Sequence, residues 1–315
     1  MFKLLLVFLT LISVSNTGIS APQKFNWTLK LASFNDTNTV KITPISEDEN
    51  IENPILSFET RSPGAISYSI SKRGLGFSYS EAGEFDEEEA LTGELETETT
   101  MFSAFYDFLK LSTEVFLVDQ TGYILQNPGD LFTGWDSTAM NPQFPDMRVQ
   151  TSGVSVFYTS SNSDYSISEI TSQTERITKD VGFSWIAGIQ AKRTLIKNIP
   201  VINVDVNSIG EVAIDDISIA TLTPFGGFGF RWSYNDFYVA PALMLGRALV
   251  KDFSSGSKGV SVNNMASKAF IPFGYHSDKF FIGINLLNDG LPITQETNEV
   301  QLDRLHFEAF IGGHF

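Results

Sequence analysis

Tyr275-His276-Ser277-Asp278 sets a base, a hydroxyl and a carboxylate side by side, the residue types from which a hydrolase activates a serine. On an extended chain neighbouring side chains point to opposite faces, so the base would not reach the hydroxyl and the trio reads as a turn. His306 and Glu308 share a face with Arg304 and His314 and could form one corner of a polar site. His306 and His314 stand about 27 Å apart along a strand, so they cannot share a metal ion. Residues 84 to 98, EFDEEEALTGELETE, gather eight carboxylates without a Lys or Arg. Asp86, Glu87, Glu88 and Glu89 come nearest to a Ca²⁺ ligand set there. The alternating Asp/Asn spacing and glycine of a calcium loop are missing, so the run reads as a solvated acidic loop and no metal site is expected. Residues 224 to 232, PFGGFGFRW, lack the spacing of a phosphate loop and precede no helix; their small side chains let a sheet bend or leave space beside it. No cofactor is expected.

The elements that carry these residues follow a period of two. Ile66, Tyr68 and Ile70 alternate with serines, Leu75, Phe77 and Tyr79 with Gly76 and serines, and Phe183, Trp185, Ala187 and Ile189 with Ser184, Gly188 and Gln190. The final run puts Leu305, Phe307, Ala309, Ile311, Gly313 and Phe315 opposite Arg304, His306, Glu308 and His314. Further strands are expected over 99–109, 111–119, 151–160, 165–172, 222–233, 236–247, 264–275 and 279–288, with Pro241 removing a ladder donor from one of them. Very short links at 72–74, 110, 161–164, 234–235 and 276–278 alternate with long ones at 82–98, 120–150, 173–180, 248–262 and 289–303. Short turns at one end and long loops at the other is the layout of a transmembrane β-barrel. Adding one strand within 193–219, around Val201 to Val206, and one from Ile55–Thr60 or Phe25–Ser33 gives about fourteen antiparallel up-and-down strands, with twelve as the alternative.

Bulk properties agree with an exported chain. Residues 1–20 have a positive charge at Lys3, an apolar stretch from Leu4 to Val14 and small residues before Ala21, the form of a cleaved signal peptide. The mature chain would run from 21 to 315, with the acidic loop 84–98 and long outer loops at 120–150, 248–262 and 289–303. Removing the signal's one Lys takes the formal charge from −16 to −17, which repels phosphate backbones and argues against nucleic acid as a partner. With no cysteine there is no disulfide framework, and 27 Phe need either a large core or a bilayer to cover them.

In hydrocarbon every backbone donor and acceptor must be paired, so the last strand of such a sheet must close on the first. Phe307, Ile311, Gly313 and Phe315 resemble the terminal signal by which bacterial outer-membrane barrels are recognised by the barrel-assembly machinery. The inward candidates are Asp107, Glu114, Gln190, Arg231, Lys268, Arg304, His306 and Glu308, a mixture of signs with no single-sign ring of the kind an ion-selective filter uses.

Asn53-Pro54, Ser62-Pro63-Gly64-Ala65-Ile66-Ser67-Tyr68 and Gly74-Leu75-Gly76-Phe77-Ser78-Tyr79 resemble the bacterial family called domain of unknown function 4421. Pro145-Asp146-Met147-Arg148 before the strand Val154 to Tyr158, and the glycine-rich strand from Pro224 to Trp232, are similar to later landmarks of it. The likeness runs from about Phe25 to Phe315; the acidic run 84–98 departs from it. It implies an outer-membrane protein and no defined chemistry. The expectation is therefore an outer-membrane barrel serving as a passive channel or structural envelope component without bond chemistry. Its partners would be outer-membrane lipid and lipopolysaccharide, and a small solute in the channel case. The alternatives are an outer-membrane lipid hydrolase built on His276 or His306, and a soluble exported all-β binding protein.

Overall fold

The computed structural model describes residues 27–44, 53–60, 64–82, 97–108, 110–160, 165, 167, 181–204, 210–254, 260–294 and 298–315. Residues 1–26, which include the expected signal at 1–20, and Asp86 to Glu89 of the acidic run lie outside them. The strands are β1 (Thr28–Pro44), β2 (Leu56–Glu59), β3 (Ala65–Lys72), β4 (Leu75–Ala82), β5 (Glu98–Phe108), β6 (Leu111–Leu125), β7 (Gln143–Thr159) and β8 (Val181–Lys197). Then come β9 (Ile202–Val204), β10 (Gly210–Val212), β11 (Ile217–Tyr234), β12 (Phe237–Val239), β13 (Ala242–Asp252), β14 (Val260–His276), β15 (Phe280–Thr294) and β16 (Asn298–His314).

The sheet runs β11-β13-β14-β15-β16-β1-β3-β4-β5-β6-β7-β8 and closes where β8 pairs with β11, an antiparallel ring of twelve. β12 continues β13 across Ala240-Pro241, where Pro241 interrupts the ladder, and pairs with the same two neighbours. The closing seam is long: β1 pairs with β16 from Thr28↔His314 to Pro44↔Asn298. Beyond it Trp27 and Phe315 exchange both backbone hydrogen bonds, at 3.0 and 2.9 Å. Two links are two-residue turns with both φ positive, Arg73-Gly74 and Asn235-Asp236, the type that suits a right-twisted hairpin.

Twelve replaces the expected fourteen because two segments leave the wall. Among the described residues β9 and β10 pair only with each other, so Ile202–Val204, within the strand expected around Val201 to Val206, is not part of the wall. Tyr165 and Ile167, the described part of 165–172, are buried in the interior. Losing two strands together keeps every other strand's direction. The expected loops also shrink, because β6, β7 and β13 to β16 run on to leave links of 126–142, 253–259 and 295–297.

Each long strand changes its apolar face along its length. Near the turns Leu29, Leu31, Phe307 and Ile311 face outward and are exposed, as are Trp185, Phe230, Phe273 and Ile282, forming a lipid-facing belt. Towards the loops the outward positions become Thr39, Lys41, Gln301 and Asp303, while the inward ones become Val40, Ile42, Val300 and Leu302, all buried. These inward residues, with Leu56, Phe58, Tyr123, Leu125, Met147, Ile293 and Leu131 of the 126–142 link, belong to one buried, largely apolar core at the loop end.

Facing strands fill the lumen by a repeated pairing of glycine with phenylalanine. Gly76, Gly153, Gly188, Gly283 and Gly312 sit directly opposite Phe105, Phe116, Phe157, Phe310 and Phe281, and each ring occupies the space a Cβ would need.

Candidate functional site

Between the loop-end core and the turns lies a cavity of about 300 Å³. Serines of β3 to β5 (Ser67, Ser69, Ser78, Ser80, Ser103) line one side, because period-two alternation turns them inward while Ile66, Tyr68, Phe77 and Phe102 face lipid. Small hydroxyls leave the space open. Charged side chains from β1, β6, β8, β14, β15 and β16 line the rest.

Three charge pairs are complete. Lys30 Nζ lies 2.8 Å from Glu308 Oε1, and Asn285 Nδ2 donates to Glu308 Oε2 at 2.8 Å. Lys268 Nζ lies 3.2 Å from Asp289. Asp36, fully buried, is the most connected: its Oδ1 accepts from Arg304 Nε at 2.8 Å and lies 3.2 Å from His306 Nδ1, while its Oδ2 accepts from Gln120 at 3.0 Å. Asn38 donates to Gln120 at 2.7 Å and so ties β1 to β6 across the interior. A buried carboxylate needs this many partners, since taking it from water costs several kcal/mol.

Of the residues expected to line a lumen, Glu114, Gln190, Lys268, Arg304, His306 and Glu308 line this cavity. Asp107 and Arg231 face inward elsewhere. Asp107 accepts from Ser112 at 2.7 Å, and the Arg231 guanidinium sits 5.9 Å from the Tyr238 ring centre. His306 does not pair with Glu308; its partner is Asp36. His314 instead meets His276, Nε2 to Nε2 at 2.9 Å, and its Nδ1 is 3.1 Å from the Thr28 hydroxyl. The Ser277 hydroxyl is engaged within its own turn, donating to Phe280 O at 2.9 Å. Among the described residues no three of His, Asp and Glu sit where one metal ion could be held. Phe307 and Ile311 are on the exposed face of β16, and Phe315, just past its end, is exposed as well.

The sequence reading missed Lys30, Asp36, Lys192 and Asp289. Lys30 stands between Leu29 and Leu31, a charge inside an apolar alternation, and that signal was available. Asp36 marks where β1 leaves the belt and its apolar face changes side, so no alternation surrounds it.

Both ends of this interior are filled. The loop end has its apolar core. At the turn end Phe281 and Phe310 pack with Ala32, and Tyr165 enters from the β7–β8 connection, its hydroxyl donating to Ala240 O at 3.3 Å. A closed antiparallel barrel with these strands is matched by one family model over residues 20–312. The chain belongs to the family described as Domain of unknown function (DUF4421). No curated protein matches it.

Among solved structures, this DUF4421 barrel is similar to the outer membrane protease OmpT from Escherichia coli, with 9% identity and a TM-score of 0.40, covering 95% of this chain and 99% of that one. The translocator domain of the autotransporter NalP from Neisseria meningitidis gives 9% identity and a TM-score of 0.37, covering 100% and 95%. The P. putida toluene transporter TodX gives 11% and 0.29, covering 94% and 91%.

Proposed function

We propose that this barrel resides in a bacterial outer membrane as an envelope component that is closed to free diffusion along its axis and performs no bond chemistry. The observation that carries the reading is the apolar core at the loop end, where Val40, Ile42, Phe58, Tyr123, Leu125, Ile293 and Val300 pack side chain on side chain. Water and ions need polar contacts to pass, and an apolar layer at packed density supplies none. Of the two roles open to such a barrel, channel or structural component, this core favours the second. The His276–His314 pair and the self-satisfied Ser277 turn support the absence of hydrolysis. Export by a cleaved signal, contact with lipopolysaccharide at the loop end, and recognition of Phe315 by the assembly machinery belong to the same reading.

The test is planar-bilayer recording on the folded, heat-modifiable protein. Silence in several salts is the expected result. Stable conductance steps whose size follows salt concentration would reject the closed reading in favour of a passive channel.

A further inference from the structure

We infer that the internal chamber is a binding site for a small zwitterion, its anionic end held at Lys192 and its ammonium at Glu114. The inference goes beyond the proposed envelope role and does not depend on it.

At the inward face of this chamber stand four cations (Lys30, Lys192, Lys268, Arg304) and four carboxylates (Asp36, Glu114, Asp289, Glu308); a further lining carboxylate, Asp303, belongs to the outward side of β16 and accepts from Gln301. Three of each are consumed in the pairs Lys30–Glu308, Lys268–Asp289 and Arg304–Asp36. Lys192 and Glu114 remain. Neither makes an ion pair with a described residue; Glu114 has a hydrogen bond from Ser103 and feels Lys268 and Arg304 at longer range, and Lys192 feels Asp289, Lys268 and Arg304. A cation and a carboxylate that line one space without a paired counter-ion are stabilised by a molecule that brings the opposite charge to each.

Their placement fixes what that something is. Glu114 pairs with Ser155, and Ser155 with Gln190, so Lys192 stands two strands across and two residues along from Glu114. That separation is roughly 12 Å between Cα atoms, and both long side chains reach inward from it. A ligand joining them therefore carries an ammonium and an anionic group several ångströms apart, not on one carbon. The cavity holds further unspent polar capacity for such a molecule. Asn285 Oδ1 is buried without a hydrogen-bond partner, and Arg304 Nη2 is directed at the weak acceptor Met101 Sδ at 3.1 Å. The serine-rich side offers hydroxyls for whatever lies between the two charged ends. A simple anion would satisfy Lys192 and leave Glu114 exposed to extra repulsion; a simple cation would do the reverse.

The experiment is the thermal midpoint of the heat-modifiable mobility shift, measured on the full folded protein refolded with millimolar glycine, 4-aminobutyrate, 6-aminohexanoate, butyrate or butylammonium. A ligand bound only by the folded form raises that midpoint. The expected result is a rise of several degrees with 4-aminobutyrate or 6-aminohexanoate, little with glycine, and none with the singly charged compounds. Lys192→Met and Glu114→Gln should each abolish the rise, while the exchange Lys192→Glu with Glu114→Lys should retain it with the ligand reversed. No rise in the wild type at any chain length would overturn the proposal. So would an equal rise with butyrate or butylammonium, or a rise that survives both single substitutions.

Discussion

Asp36 is the residue on which most of the interior depends, because Arg304, His306 and Gln120 all converge on one buried carboxylate. Asp36→Asn keeps the shape and removes the charge, leaving the Arg304 guanidinium without its counter-ion, and should cost about 3 to 5 kcal/mol in denaturant unfolding. Pairing it with Arg304→Met should recover a large part of that loss, since both members of the charge pair are then gone. If the double variant is no more stable than Asp36→Asn alone, the cost lies in packing and not in the orphaned charge. Glycine gives a second prediction at this scale. A Cβ on Gly312 would meet Phe281 Cζ at 2.1 Å and the backbone Leu29 O at 2.3 Å, whereas one on Gly226 would meet nothing within 4 Å. Gly312→Ala should therefore destabilise by about 1 to 3 kcal/mol and Gly226→Ala should be close to neutral. Equal midpoints for the two would contradict the crowded seam.

At the scale of the element, the strands show why alternation was readable in some places and not in others. Residues 65–80 and 182–190 lie in the belt, where the outward face is apolar and the inward one mostly small or polar, and their period of two stands out. β1 is harder because its outward side is apolar at Leu29 and Leu31, and its inward side at Val40 and Ile42. Averaged over 17 residues, neither face looks consistent, so β1 was placed only as Phe25–Ser33 or Ile55–Thr60. β15 makes the same change from outward Ile282 to inward Leu291 and Ile293, and its upper half was taken for loop. The polar faces of β6, β8, β14 and β16 were legible enough to place Glu114, Gln190, Lys268, Arg304, His306 and Glu308 inside; the pairs that join them to Asp36, Lys30 and Asp289 depend on register, which alternation leaves open. The expected strand at 165–172 was misread at its described residues, because Tyr165 and Ile167 are spaced like the apolar face of a strand and are buried in the interior instead. Its anchor is testable: Tyr165→Phe keeps the ring, removes the hydroxyl that donates to Ala240 O, and should cost about 1 kcal/mol. Tyr165→Ala also empties the space over Gly229 and should cost about 3 to 5 kcal/mol. A Tyr165→Ala variant as stable as wild type would place that side chain outside the core.

For the whole molecule, the change of apolar face locates the bilayer on the barrel. Leu31, Ile311 and Ile282 lie in register across β1, β16 and β15, all outward and all about half exposed. Thr39 and Asp303 lie in register eight residues further along the same strands, and their surroundings there are polar. Eight residues of tilted strand rise roughly 20 Å, so the second row stands near or beyond the edge of a hydrocarbon band of roughly 25 Å that is centred on the first. A lysine at Ile311 has to be accommodated within hydrocarbon and should lower stability in lipid by about 2 to 4 kcal/mol, whereas Gln301→Lys, near the loop end, should cost roughly 0 to 1 kcal/mol. Equilibrium unfolding in lipid vesicles measures both. The contrast should also shrink in thinner bilayers, whose hydrocarbon reaches fewer rows. Equal penalties at 301 and 311 would mean that the bilayer covers the full height of the strands, and the polar outward faces of β1 and β16 would then have no physical explanation.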